Sequence, residues 1–190
     1  MTAQSRYERD TEFVGFLKRL AKNENRGALA ALRRGLSSQS AAEVGMHRYV
    51  AGWLNETDRE WDVKCFYLVA ALFGRYPCTK TPGHNFGGSY RELRIKKERE
   101  LKKKDESLER RFVALLAADA DSIGIHLRHA ISLLASKEIT VDWAQLLGDL
   151  RWWRQPEHRV QRRWAREFWK RAIPGASESA QPQEQVQQEV

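Results

Sequence analysis

Cysteine is scarce in this 190-residue chain, with Cys65 and Cys78 the two present. So low a count excludes a disulfide-stapled scaffold. Neither thiol has a ligand-like neighbour at metal spacing, and Cys65 sits in an apolar helical run where packing is its natural role. Long apolar runs are missing as well. No stretch approaches the roughly 20 residues that a membrane helix needs. The N-terminus, Met1-Thr-Ala-Gln-Ser, lacks a basic-then-apolar secretory pattern. The expectation is a soluble, cytoplasmic chain without a membrane partner. Strand-type alternation is absent, and so is any internal repeat. Lys and Arg are absent from Pro174 to Val190. That Ser/Gln/Glu/Pro stretch has little to bury and is expected to be a disordered tail over 174–190.

What is present is positive charge and helical periodicity. The formal net charge is +8 and the isoelectric point about 9.7. The tail adds only acids, so the body carries a still larger excess. Such an excess fits a polyanionic partner, although plain solubility would also account for charge of this size. Phe13, Phe16, Leu17 and Leu20 repeat at helical spacing, with Asp10 or Thr11 as the expected cap. Further helices are expected over about 26–36, 46–54, 58–75 and 89–105. The 58–75 segment is apolar almost all round and belongs in the middle of a bundle. Pro77 stops it, and residues 77–89 form the clearest loop. Glu92/Lys96, Glu98/Lys102 and Glu100/Lys104 are spaced to pair along the 89–105 helix.

Downstream, Ser107 or Asp105, then Asp121, then Thr140 are the expected caps of three helices, and Asp119 reads as a cap too. Ile123, Leu127, Ala130, Ile131 and Leu134 mark one buried stripe, and Leu146, Leu147, Leu150 and Trp153 another. The last helix is expected from about Glu157 to Ala172. The fold class is therefore all-α, a compact multi-helix bundle of about eight or nine helices. It would form one domain over 1–173, or two small lobes at about 1–80 and 89–173.

The last helix carries the strongest functional signal. Arg159, Arg163, Arg166 and Lys170 fall within about 60° of one another on a helical wheel, and Arg162 lies beside them. Val160, Trp164, Ala165, Phe168, Trp169 and Ala172 fall opposite. A solvated face would normally mix signs, whereas guanidinium groups suit bidentate contact with phosphate. The second helix repeats the pattern, with Arg26, Arg33 and Arg34 opposite Ala28, Leu29, Ala31, Leu32 and Leu36. Cations near a helix C-terminus are also favoured by the dipole alone. Arg110, Arg111 and Arg128 flank apolar stripes in the second half. Lys102, Lys103 and Lys104 lie among mixed charges and are weaker candidates.

Of the seven tryptophans, Trp143, Trp153, Trp164 and Trp169 occupy apolar positions and read as core. Trp152 or Trp53 is the candidate for exposure. No catalytic chemistry is expected. His126 and His129 are three apart but have no third ligand at motif spacing, so no metal or cofactor is expected. Asn85-Phe-Gly-Gly lacks the following Lys-Ser/Thr of a phosphate loop.

The order of segments carries a resemblance. Ala28-Leu-Ala-Ala-Leu-Arg-Arg-Gly-Leu36 is followed by Tyr67-Leu-Val-Ala-Ala-Leu-Phe-Gly-Arg-Tyr-Pro77 and Asn85-Phe-Gly87. Next come Arg110-Arg-Phe-Val-Ala-Leu-Leu-Ala-Ala-Asp119 and Ile125-His-Leu-Arg128. The set closes with Val141-Asp-Trp-Ala-Gln-Leu-Leu-Gly-Asp-Leu150 and Val160-Gln-Arg-Arg-Trp-Ala-Arg-Glu-Phe-Trp169. From about 13 to 169 the chain resembles the CasB family, the small subunit of the type I-E CRISPR surveillance complex called Cascade. The resemblance implies an all-helical, non-catalytic subunit present as two copies packed head to tail. Its implied partners are guide RNA, target and displaced DNA strands, the backbone subunits and the large subunit. It also implies that the subunit stabilises the open R-loop. Arg33, Arg34, Arg110, Arg111, Arg128, Arg162, Arg163 and Arg166 match the family's basic positions. The 91–106 charged helix and the acidic tail are less typical of it.

Two other classes remain open. A pure assembly protein would turn its basic faces to acidic protein partners. A helix-turn-helix regulator would need base-reading residues on one recognition helix, and the basic residues here spread over several.

Overall fold

The structure, a computed structural model, describes residues 3–36 and 40–170. The expected 174–190 tail lies outside the described residues. Among those described there are nine α-helices and no strands: α1 (Ala3–Lys22), α2 (Arg26–Arg34), α3 (Ser40–Val50), α4 (Glu60–Arg75), α5 (Phe86–Leu101), α6 (Glu106–Ala117), α7 (Ile123–Ala135), α8 (Trp143–Arg151) and α9 (Arg159–Phe168). A 3-10 turn at Ala51–Trp53 follows α3. The all-α expectation holds, as does the count. No described helix is long and apolar enough to cross a membrane.

Side-chain caps explain several helix starts. Asn25, Asn85, Asp105 and Asp142 each accept a hydrogen bond from the backbone N–H three residues on, at 3.0 to 3.2 Å. This satisfies one donor that the first helical turn leaves orphaned. Asn85-Phe-Gly-Gly is thus a helix start. Three expected caps are corrected. Thr140 yields to Asp142. Asp121 yields to Ser122, which caps α7 without a side-chain bond, while the Asp119 carboxylate holds the preceding turn by accepting from the Ser122 backbone and hydroxyl at 2.8 and 2.6 Å. Asp10 and Thr11 lie inside α1, which begins a turn and more earlier. The 89–105 helix starts at Phe86 and ends where Lys102 takes a left-handed φ of 53°. Its expected ion pairs give way to tertiary ones: Glu100 meets Lys137 and Lys97 meets Asp105, both at 2.6 Å.

One continuous core runs from Phe13 to Phe168. Helix α4 is its axis, with Cys65, Phe66 and Val69 to Gly74 all buried, and α2, α8, α3 and α7 pack around it. Trp143, Trp153 and Trp164 are core as expected, at 2% exposure or less; Trp169 is 40% exposed, because α9 ends at Phe168 and leaves it on the rim. Of the two tryptophans left open, Trp152 is the exposed one, while Trp53 packs on Phe13 and Phe16.

Two glycines permit close helix approaches. A Cβ on Gly74 would stand 2.6 Å from Leu32 Cβ and 2.8 Å from the Arg33 nitrogen, so α2 lies on the α4 backbone. A Cβ on Gly87 would overlap the Trp164 carbonyl, and its nearest carbons would be 2.7 Å away. Backbone cannot yield as a side-chain tip can, so both substitutions overpack. Gly87→Ala is expected to destabilise the protein by about 2–4 kcal/mol, read as a lower urea midpoint, whereas Gly52→Ala, which meets nothing within 4 Å, should move it by less than about 1 kcal/mol.

Candidate nucleic-acid interface

Helix α9 divides as its sequence dictates. Val160, Gln161, Trp164 and Phe168 are buried, while Arg159, Arg162, Arg163 and Arg166 are exposed. Its buried side is anchored by aromatic stacking: Trp164 meets Phe86 at 4.9 Å and Trp153 at 5.0 Å, and Phe168 meets Phe112 at 4.1 Å. Arg94 of α5 caps the Phe168 ring at 4.6 Å.

The four arginines are not equivalent. Arg163 forms an ion pair with Asp149 of α8, whose side chain is 4% exposed. The second Asp149 oxygen accepts from the Trp164 indole N–H at 2.5 Å. Arg162 donates to the Glu157 carbonyl. Arg159 and Arg166 form no ion pair among the described residues. Burial pushes the Asp149 carboxyl up to about 6, against the lowering pull of Arg163 and of the indole bond. A matching buried system joins α1, α4 and α8. Arg151 meets Asp10 at 3.0 Å and Asp62 at 3.7 Å, Arg9 meets Asp58 at 2.9 Å, and both guanidiniums lie over the Phe66 ring. Burial pushes Asp10 up to about 6 as well, with Arg151 opposing.

All ten sequence-predicted arginines are exposed. The structure gathers most of them into two neighbourhoods. The first is α9 with its surroundings. Arg159 and Arg163 line a hollow of about 440 Å³ with Trp152 and Gln155. A neighbouring hollow of about 610 Å³ adds Arg6 and Tyr7 of α1, and Tyr7 is 60% exposed. The second surrounds the C-terminal end of α4. Gly74 touches the α2 backbone at Arg33, and the next residue, Arg75, lies over the Tyr76 ring at 5.7 Å. Tyr76 hydrogen-bonds Ser132 of α7 and feels the charges of Arg75 and Arg128. Arg111 of α6 faces α7 across a cleft that Ser132 also lines. The two neighbourhoods approach where the Trp169 indole N–H donates to Glu109 at 3.0 Å, beside Arg110. Arg26 stands apart, at the opposite end of α2 from Arg33 and Arg34.

Sequence reading passed over Arg75, Arg6 and Tyr7. Arg75 reads as a cation favoured by a helix C-terminus, and only the meeting of α4 with α7 gives it company. Among the described residues no cluster of His, Cys, Asp or Glu could hold a metal ion.

The model of the CRISPR-associated protein Cse2 family matches residues 28–169. The chain belongs to the Cse2 family. It is similar to the CRISPR-associated protein Cse2 of Thermus thermophilus, 37% identical over 174 residues that cover 90% of this chain and 95% of the relative. Among solved structures, it is similar to a crystal structure of CasB from Thermus thermophilus, at 34% identity and a TM-score of 0.70, over 84% of this chain and 97% of that one. It is also similar to a chain in a structure of a CRISPR RNA-guided surveillance complex, at 26% identity and a TM-score of 0.72, over 86% of this chain and 92% of that one.

Two expectations follow from the Asp149 site. Arg163→Ala should cost about 1–3 kcal/mol, because it leaves a buried carboxyl without its partner, whereas Arg166→Ala should stay within about 0.5 kcal/mol in the same urea titration. A carboxyl whose folded-state pKa is raised binds a proton on folding. Its contribution is therefore full below about 4 and fades as pH rises through about 6. Asp149→Asn should accordingly shrink the loss of unfolding free energy between about pH 4 and pH 7 by about 1–3 kcal/mol relative to wild type.

Proposed function

We propose that this Cse2-family chain is a non-catalytic, nucleic-acid-binding subunit of a CRISPR RNA-guided surveillance complex. In this reading it stabilises the open R-loop by gripping the backbones of target and displaced DNA strands, alongside guide RNA, the backbone subunits and the large subunit. Two copies would pack head to tail. The observation that carries the reading is the match, along nearly the whole described chain, to a chain of a CRISPR RNA-guided surveillance complex.

The physical case rests on the exposed arginines. R-loop formation nearly balances the duplex lost against the heteroduplex gained, so modest protein contacts to the strands can tip it. Contacts to phosphate hold a strand without reading its bases. Arg159, Arg162 and Arg166 suit that role. They stand out from a helix whose other face is locked into the core, so their positions are fixed before any strand arrives. Arg163 takes part while spending some of its charge on Asp149. Arg33, Arg34, Arg110, Arg111 and Arg128 supply the second stretch of the proposed track, with Arg26 at its margin. The cytoplasm is the compartment this role requires.

Charge reversal at Arg159, Arg162 and Arg166 tests this reading, since none of the three pairs with a carboxylate in the described residues. Circular dichroism should show unchanged helicity. Gel shifts with single- and double-stranded DNA at two salt concentrations should show affinity at least about tenfold lower and a shallower salt dependence. Unchanged affinity would reject the α9 assignment. Wild-type protein with no DNA affinity at physiological salt, yet co-purifying with protein subunits, would favour the assembly-protein reading instead.

A further inference from the structure

The cleft between α5, α6 and α7 has the makings of a site in its own right. Its volume is about 590 Å³, and Tyr90, Arg111, His126, His129 and Ser132 line it together with apolar groups. No carboxylate is among the lining residues. That is unusual in a chain where Asp and Glu number 25 and where the other basic sites on α8 and α9 have acids close by.

Tyr90 is the most informative member. It is 1% exposed, and its ring is stacked between Phe112 at 5.0 Å and Phe86 at 6.0 Å. Burial raises its hydroxyl to about 12, and the charge of Arg111 opposes that rise, so the guanidinium lies within electrostatic reach of the phenol. Among the described residues no protein group meets the hydroxyl, which opens onto the cleft. The ring is buried and held by two others while its hydroxyl reaches the water of the cleft, so it is a fixed donor free to meet an acceptor there. His126 and His129 are separated by one turn of α7 and so present two imidazole N–H donors from the same face. Arg111 supplies a guanidinium from the facing helix. Donors converging from three helices, with positive charge and no acid, fit a tetrahedral anion.

The cleft is not isolated. Ser132 at its edge bonds Tyr76, which is flanked by Arg75 and Arg128. A bound anion therefore has cationic neighbours along the surface, as successive phosphates of a strand would require. An isolated small anion would not need them.

We propose that this cleft seats a single phosphodiester group of a nucleic-acid strand, held by Arg111, His126, His129 and the Tyr90 hydroxyl. The proposal rests on the nucleic-acid reading above and adds a fixed point to it. The strand is pinned at one phosphate in a pocket, while the arginines of α9 hold others on an open face.

The test uses the full chain and its five histidines. Side-chain resonances of His126 and His129 are assigned from His126→Gln and His129→Gln and followed by NMR while a twelve-residue oligothymidylate, inorganic phosphate or a poly-glutamate peptide is added. The expected result is that the oligonucleotide shifts both resonances at lower concentration than phosphate does, and that the peptide leaves them in place. In gel shifts, the double variant His126→Gln/His129→Gln and Tyr90→Phe should each bind the oligonucleotide about three- to tenfold more weakly, with circular dichroism unchanged. Oligonucleotide binding that leaves both resonances unmoved and both variants unimpaired overturns the cleft while the wider reading stands. A response to phosphate or peptide but not to oligonucleotide overturns it in favour of a free anion or an acidic protein. Wild-type protein that binds no oligonucleotide removes both. If a variant fails to fold, the wild-type resonances still decide.

Discussion

The position of α9 depends on a carboxylate that is almost sealed from water. Asp149 sits on α8 with one oxygen toward the Trp164 indole and the other toward Arg163. An uncompensated charge there would be costly, so its two partners must both be in place. Both come from consecutive residues of α9, one from its core face and one from its outer face. The pair therefore fixes the rotation of α9 about its own axis, and with it the direction in which Arg159, Arg162 and Arg166 project. The Gly87 contact fixes its depth against α5. Arginines that are to meet a regularly spaced polyanion need that kind of placement, because a floating helix would surrender the gain to ordering.

The same device occurs on the other side of α8. Arg151 and Arg9 enclose Phe66 and answer Asp10, Asp62 and Asp58. Helix α8 is thus clamped twice, to α1 and α4 on one side by a buried pair and to α9 on the other by a buried carboxylate that meets a half-exposed arginine. Buried pairs add little net stability over well-packed apolar groups, but breaking one is expensive. Their use here is geometric: they fix how the helices that carry surface arginines are oriented relative to the α4 core.

Fold and family were legible along the chain because they rest on local information. Helical periodicity, Asp105 as a cap, and the apolar 58–75 run are properties of neighbours in sequence. The ordered segments from Ala28 to Trp169 carried the family resemblance. What failed was also instructive. Asp10 has the chemistry of a cap and the position of a buried ion-pair partner, and only the approach of Arg151, more than a hundred residues away, separates the two. Glu100 was spaced for Lys104, but Lys102 turns left-handed and ends the helix, so Glu100 pairs with Lys137 instead.

By itself, then, the sequence determined that the chain is helical, that it carries an excess of arginine, and that α9 has an apolar and a cationic side. A repeat of about 3.6 residues places side chains on a helix face before any partner is known. Only the tertiary structure decided which of those arginines are spent on carboxylates. It alone set Arg33, Arg75 and Arg128 near the end of α4, and it alone turned Arg111, two histidines and a tyrosine into the wall of one cleft. The reason is distance along the chain. Charges compete for partners through space, and the free energy that settles the competition is burial, which no local pattern encodes.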